Sequence, residues 1–304
     1  MSLAAESTFP TAFLRSMRPQ HWAKNFLIFV PLLTAHAYQS VDAIVQAWIA
    51  FVCFSLCASG GYFINDLWDL EADRNHAIKR HRPLASGALS IAGGIAGAIG
   101  LPAAALALAA LFLSPAFIAV LALYFALTML YSFYLKRVVT ADVLTLSVLY
   151  MVRVLAGAVA IQVYLSSWLL GFCIFLFLSL AYLKRFIELR KTDTAGEKVM
   201  GRGYFGIDTD SMFVLGVSNA TASVLVFALF INSPEVQQDY QSRDLLWVIC
   251  LVLIFWTNRM WIAAKRGDVD EDPVEFALRD RASQMAGLIC VGAILLARYI
   301  NVSF

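Results

Sequence analysis

The run Asn65-Asp66-Leu67-Trp68-Asp69-Leu70-Glu71-Ala72-Asp73 closes an apolar stretch with an amide and four carboxylates. In a helix, Asn65, Asp69 and Asp73 stand at i, i+4 and i+8 and share a face. Asp66 lies one turn from Asp69 and two turns from Asp73, so four oxygen-bearing side chains form one strip. Glu71 points elsewhere. An aspartate in the middle of a membrane helix costs about 2.5–3.5 kcal/mol. A divalent cation is the obvious compensating partner. Hard oxygen donors suit Mg2+, which keeps several waters and shares its shell with substrate phosphates. The strip therefore predicts a Mg2+ site at Asn65, Asp66, Asp69 and Asp73, and a phosphorylated ligand.

Other polar residues stand where substrate groups could meet them. After the strip comes Lys79-Arg80-His81-Arg82-Pro83, with Gly87 marking a loop; Arg82 is its candidate diphosphate ligand. Lys24 and Asn25 sit one turn into the first apolar span, where Trp22 is an interfacial anchor. Tyr131 and Lys136 close the fourth span and can reach a polar cavity mouth. Asp142 and Arg153 are eleven residues apart, three turns on one face. An arginine that deep is a substrate ligand or half of a structural ion pair.

Those residues need a membrane scaffold. Hydrophobic types make up 61% of the 304 residues and charged types 14%, against about 25% charged in globular domains. Mean hydropathy is +0.73. Nine apolar spans are expected, near 22–39, 43–64, 88–112, 115–134, 142–162, 166–183, 211–232, 244–262 and 283–303. Most approach the roughly 20 residues that cross a bilayer. The runs do not alternate as barrel strands would.

If nine spans alternate, 20 of the 23 Lys and Arg fall on one side. That bias predicts a cytoplasmic N-terminus and an external C-terminus. The long polar loops, 66–87, 184–210 and 263–282, share the basic side, so chemistry is expected at the cytoplasmic mouth. The residues before Phe13 lack a basic-then-apolar leader, and no signal peptide is expected. The five Cys all lie in apolar spans and the four His show no metal spacing. No nucleophile elbow, Walker loop or dinucleotide fingerprint is present, and no nucleic-acid partner is expected.

The strip NDLWDLEAD, with RHRPLASGALS and YSFYLK, resembles the UbiA superfamily of intramembrane prenyltransferases across essentially the whole chain. Asn65, Asp66, Asp69 and Asp73 match its first motif, N-D-x-x-D-x-x-x-D. The resemblance implies an all-α fold: one domain over 1–304, a polytopic bundle of nine transmembrane helices around a central cavity facing the cytoplasm.

One segment departs from that pattern. Where the family carries a second D-x-x-x-D after span 6, this chain has Lys184-Arg185-Phe186-Ile187-Glu188. In that variant, and in RPQHWAKN, LAYLKRFIEL, GRGY at 201–204 and DEDPVEFALRD at 270–280, it resembles the decaprenyl-phosphate phosphoribosyltransferase branch. That branch moves 5-phosphoribose from phosphoribosyl diphosphate to a polyprenyl phosphate and releases diphosphate. The resemblance implies an Mg2+-dependent enzyme of the bacterial inner membrane. Asp66, Asp69, Asp73 and Lys184 would be catalytic. Lys24, Asn25, Asn65, Arg82, Tyr131, Lys136, Arg153, Arg185 and Glu188 would bind substrate. Membrane lipids are its surroundings, and a homo-oligomer is left open. The alternatives are prenyl transfer to an aromatic or other small acceptor, and a transporter or lipid-binding protein without chemistry. Transport would predict matched broken helices, which the spans do not show.

Overall fold

The computed structural model describes residues 9–191, 196, 201–269 and 272–301, without the side chains of Glu235, Gln237 and Gln238. The segment before Phe9, Lys198, Asp270 and Glu271 lie outside the described residues. The described chain is helical and has no strands. In order, the helices are α1 (Phe9–Met17), α2 (Val30–Thr34), α3 (Val41–Trp68), α4 (Leu70–Asn75), α5 (Ile91–Phe112), α6 (Pro115–Phe133) and α7 (Ala141–Ala160). They continue as α8 (Ser167–Arg190), α9 (Thr209–Ile231), α10 (Pro234–Asp239), α11 (Trp247–Arg266), α12 (Pro273–Arg279) and α13 (Arg281–Tyr299).

Eight helices among the described residues are long and apolar enough to cross a membrane. They coincide with the second to ninth expected spans, with ends that differ by up to about seven residues. Many of their apolar side chains are exposed, among them Leu111, Leu225, Leu251 and Leu288. Lipid tails can cover such a surface, whereas water penalises it.

The first expected span, 22–39, is not one long helix. A 3-10 segment covers Pro19–Phe29, followed by α2 and a 3-10 turn at Ala37–Gln39. The 3-10 form has a packing reason. Three of its residues rise about 6 Å, the same as four residues of an α-helix. Trp22, Asn25 and Ile28 therefore stack on one ridge against α3. Trp22 Nε1 donates to Ser59 Oγ at 3.1 Å, and Asn25 Nδ2 donates to Ser55 Oγ at 3.0 Å. Lys24 lies off that ridge and is half-buried. Gly157 of α7 meets the next rung: a Cβ there would stand 2.0 Å from the Ile28 carbonyl oxygen.

The chain divides into two compact units. The first holds residues 1–133 and 152–164, and the second holds 134–151 and 165–304, so α7 gives one part to each. In the first, α3 packs along α5, with α1 and α6 beside them; Phe54, Phe63, Phe117 and Leu121 are fully buried. In the second, α8 packs along α9 and α11. Its core gathers Leu183, Phe186, Met260 and Trp261, and Trp261 Nε1 donates to Ser179 Oγ at 3.1 Å. Asp280 caps α13 by accepting from the Ser283 N–H at 2.9 Å, and takes both arms of the Arg259 fork at 2.8 and 3.0 Å.

Candidate active site

The acidic strip spans the junction of α3 and α4 in the first unit. The helix breaks at Asp69, but register is kept: the Asp69 N–H donates to the Asn65 carbonyl at 3.0 Å and the Asp73 N–H to the Asp69 carbonyl at 2.8 Å. Asp66 and Asp73 are each 2% exposed, a position that demands cationic partners.

Two arginines supply them. Arg18 Nη2 lies 2.5 Å from Asp66 Oδ1. Arg82 Nη1 lies 3.2 Å from the same oxygen and 2.6 Å from Asp73 Oδ2. Both arginines precede a proline, Pro19 and Pro83. A residue before proline is pushed out of the right-handed helical region. Arg82 is accordingly extended, with φ −64° and ψ 144°, and Arg18 is left-handed, with φ 53° and ψ 61°. A non-glycine residue held there stores about 1–3 kcal/mol and persists where its surroundings over-determine it. Here the Asp66 pair and the Tyr62 ring, 4.9 Å from the Arg18 guanidinium, hold it.

The donor set suits Mg2+ in kind. One guanidinium nitrogen bridges Asp66 and Asp73, so a positive charge already stands between the two carboxylates. One or two carboxylates, completed by water and phosphate oxygens, are a usual Mg2+ shell. A closed protein cage is absent: among the described residues, no three acidic, His or Cys side chains converge as a metal site. Asp69 is half-buried at the junction, and Asn65 donates through Nδ2 to Ser132 Oγ at 3.2 Å.

The second unit carries a separate ionic cluster at the end of α8. Arg185 is 1% exposed and Asp142 is 0% exposed. Arg185 Nη2 donates to Asp142 Oδ1 at 3.2 Å, Nε sits 2.7 Å from Oδ2, and Nη1 pairs with Glu188. The Nε contact is electrostatic rather than a directed hydrogen bond. Arg202 approaches Asp142 at 3.5 Å and Glu188 at 3.4 Å. Beside it, Tyr204 is fully buried and its hydroxyl accepts the Thr140 N–H at 3.0 Å. Burial pushes the Tyr204 phenol up, keeping it protonated. Gly203 is required there, because a Cβ would stand 2.4 Å from the Arg137 carbonyl oxygen. The GRGY segment is thereby pinned to the start of α7. Lys184 is part-exposed and pairs with Asp272 at 2.8 Å.

The structure thus joins Asp66, Asp73 and Arg82 in one cluster, and Arg185 and Glu188 in another. Arg153 belongs to neither. It is buried in the first unit, where Nε donates to Asn25 Oδ1 at 2.9 Å, Nη2 donates to Tyr124 Oη at 3.0 Å, and the guanidinium lies 4.8 Å from the Tyr124 ring centre. Asp142 pairs with Arg185, and Asn25 is engaged by Arg153 and Ser55. Tyr131 is half-buried near the end of α6 in the first unit, and Lys136 is half-buried in the 3-10 turn Leu135–Arg137 of the second. Residue types alone left out Arg18, Arg202 and Tyr204. A usable signal for Arg18 was the Arg-Pro dipeptide, which recurs at Arg82-Pro83.

A model of the UbiA prenyltransferase family matches residues 26–279. The chain belongs to this family. It is an integral membrane protein of the UbiA prenyltransferase superfamily of enzymes. The uncharacterized protein y4nM of Sinorhizobium fredii is 35% identical over 97% of this chain, which spans only 58% of that relative's length. Nodulation protein NoeC of Azorhizobium caulinodans is 34% identical, over 95% of this chain and 92% of its own. A decaprenyl-phosphate phosphoribosyltransferase of Mycolicibacterium smegmatis is 31% identical, over 96% and 93%. Among solved structures, a UbiA homolog from Archaeoglobus fulgidus bound to GPP and Mg2+ has a TM-score of 0.66 at 18% identity, covering 95% of this chain and 100% of the other. That likeness carries the all-helical family fold.

Proposed function

We propose that this protein transfers 5-phosphoribose from phosphoribosyl diphosphate to a polyprenyl phosphate at the cytoplasmic side of a bacterial inner membrane. The observation that carries the reading is the Arg82 nitrogen shared by Asp66 and Asp73. It marks one place that accepts a cation between two carboxylates and keeps guanidinium groups at hand for phosphate oxygens. The similarity to the mycobacterial phosphoribosyltransferase supports the choice of donor, as does Lys184 standing where a second aspartate motif would begin.

The reaction breaks the C1–O bond to diphosphate and forms a C1–O bond to the lipid phosphate. Bound at Asp66 and Asp73, with Asn65 and Asp69 adjoining, Mg2+ would neutralise charge developing on the diphosphate. Arg82 and Arg18, released from their carboxylates, bind phosphate oxygens in a bidentate manner that lysine cannot match. The resemblance also assigns Lys184 to phosphate; in the structure it pairs with Asp272 within the second unit. The lipid phosphate is already an anionic nucleophile, so no general base is needed. Positioning and charge neutralisation supply the rate.

The family itself favours a second reading, prenyl transfer from a prenyl diphosphate to a small acceptor. One assay separates the two. Purified protein in lipid nanodiscs receives Mg2+, a polyprenyl phosphate and labelled phosphoribosyl diphosphate, or a labelled prenyl diphosphate with aromatic acceptors. Label in a lipid-linked pentose phosphate supports the first. Product from the prenyl donor alone supports the second and refutes the first.

A further inference from the structure

Beside the acidic strip, the first unit holds an open cleft of about 620 Å3 between α1 and residues 78–83. Ligand sites commonly measure about 300–1,000 Å3. The cleft wall includes Arg15, Arg18, His21, Asp66, His81 and Arg82. Three arginines and one carboxylate thus line the same cleft. Arg18 and Arg82 are engaged with the acids at the cleft floor. Arg15 is different: its side chain is exposed and has no hydrogen bond or ion pair with any described residue. Arg18 and Arg82 balance Asp66 and Asp73, and Arg15 adds a cation beyond that balance.

We propose that this cleft binds a phosphate monoester, seated against Arg15 with Arg18 and Arg82 at its inner edge. The inference rests on the phosphoribosyl reading above and deepens it. A phosphate monoester carries a charge of about −1.5 to −2 near pH 7 and three acceptor oxygens. With Asp73 counted beside Asp66, the cluster offers a surplus of one positive charge, on Arg15, and its three arginines carry the planar fork that suits such a group. A prenyl diphosphate has no such group, so a site of this kind beside the strip distinguishes the two donor classes. Two substrates of the proposed reaction bear a phosphate monoester: the sugar at C5 and the lipid acceptor.

The test uses the full-length protein in nanodiscs with Mg2+. KM is measured separately for phosphoribosyl diphosphate and for the polyprenyl phosphate, and Ki is measured for inorganic diphosphate. Arg15→Gln should raise one KM at least tenfold and leave Ki within about twofold, because diphosphate lacks the monoester. Arg15→Lys should recover part of the loss, since it restores charge without the fork. A rise for the donor assigns the cleft to the sugar phosphate; a rise for the acceptor assigns it to the lipid headgroup. Two unchanged KM values overturn the inference, as does a Ki that rises in step with KM. Failure of the phosphoribosyl reading is distinct. It appears in the unsubstituted protein as no turnover of either substrate, and it takes this inference with it.

Discussion

Replacing Arg185 should destabilise the protein rather than weaken its grip on donor. Arg185→Ala removes a guanidinium that is 1% exposed and that touches Asp142 at 2.7 and 3.2 Å. It also removes the pairing to Glu188. Asp142, fully buried, keeps the more distant Arg202 contact at 3.5 Å. Stranding one member of a buried pair costs about 3–5 kcal/mol. Because Arg202 remains, the lower end applies, about 3 kcal/mol. At about 1.4 kcal/mol per decade, the ratio of folded to unfolded protein falls by roughly a hundredfold. Arg185→Lys should lose less, keeping charge but not the fork. Unfolding can be followed in mixed micelles by adding sodium dodecyl sulfate and reading tryptophan fluorescence. Trp261 is a local reporter, with its ring 5.8 Å from that of Phe186, the residue next to Arg185. Donor KM is measured in parallel on the folded fraction and should stay within about threefold. An Arg185→Ala protein with unchanged unfolding and a strongly raised donor KM would refute this reasoning and make Arg185 a phosphate ligand.

Three further outcomes are expected. Asp66→Asn and Asp69→Asn should each abolish Mg2+-dependent turnover with insertion intact, while Glu71→Gln should be mild; full activity of both aspartate variants in the lipid-product assay would remove the strip from the chemistry. Gly157→Ala should lower stability by about 1–3 kcal/mol, as overpacking does, because its Cβ meets the Ile28 backbone, whereas Gly100→Ala, with open space around it, should be near neutral in the same thermal-shift measurement. Burial raises the Asp280 carboxyl, but hydrogen bonds from Ser283 and the Arg259 fork together outweigh it and hold the group below its ordinary range. Its folded pKa is thus depressed, so its contribution is full above the unfolded value, about 3.9, and is lost as pH falls through the lower folded value. The fall in Tm between pH 6 and pH 3 should therefore be smaller in Asp280→Asn than in the unsubstituted protein, and equal falls would count against the pair.

The family to which the chain belongs, its helical class and eight of its spans were legible in sequence, and the reason is local. Whether 20 residues can lie in lipid depends on their summed transfer cost, which neighbours elsewhere barely alter. The acidic strip was legible for the same reason: helical spacing alone puts Asp66, Asp69 and Asp73 along one side, and backbone bonds carry that register through the break at Asp69. Partnership was not legible. Arg153 reaches Asn25 across 128 positions, Arg18 reaches Asp66 across 48, and Arg185 reaches Asp142 across 43. An arginine in an apolar run announces only that some polar group must meet it; which group does so is decided by the packing of helices distant in sequence. The first span shows the same limit from the backbone side. Residues 19–29 have the hydropathy of a membrane helix, yet they wind as a 3-10 segment because rungs on α3 and the gap left by Gly157 set their rise per turn. Tertiary structure also decided that Arg185 is enclosed while Arg15 stands open, a difference that residue type and positive charge cannot express.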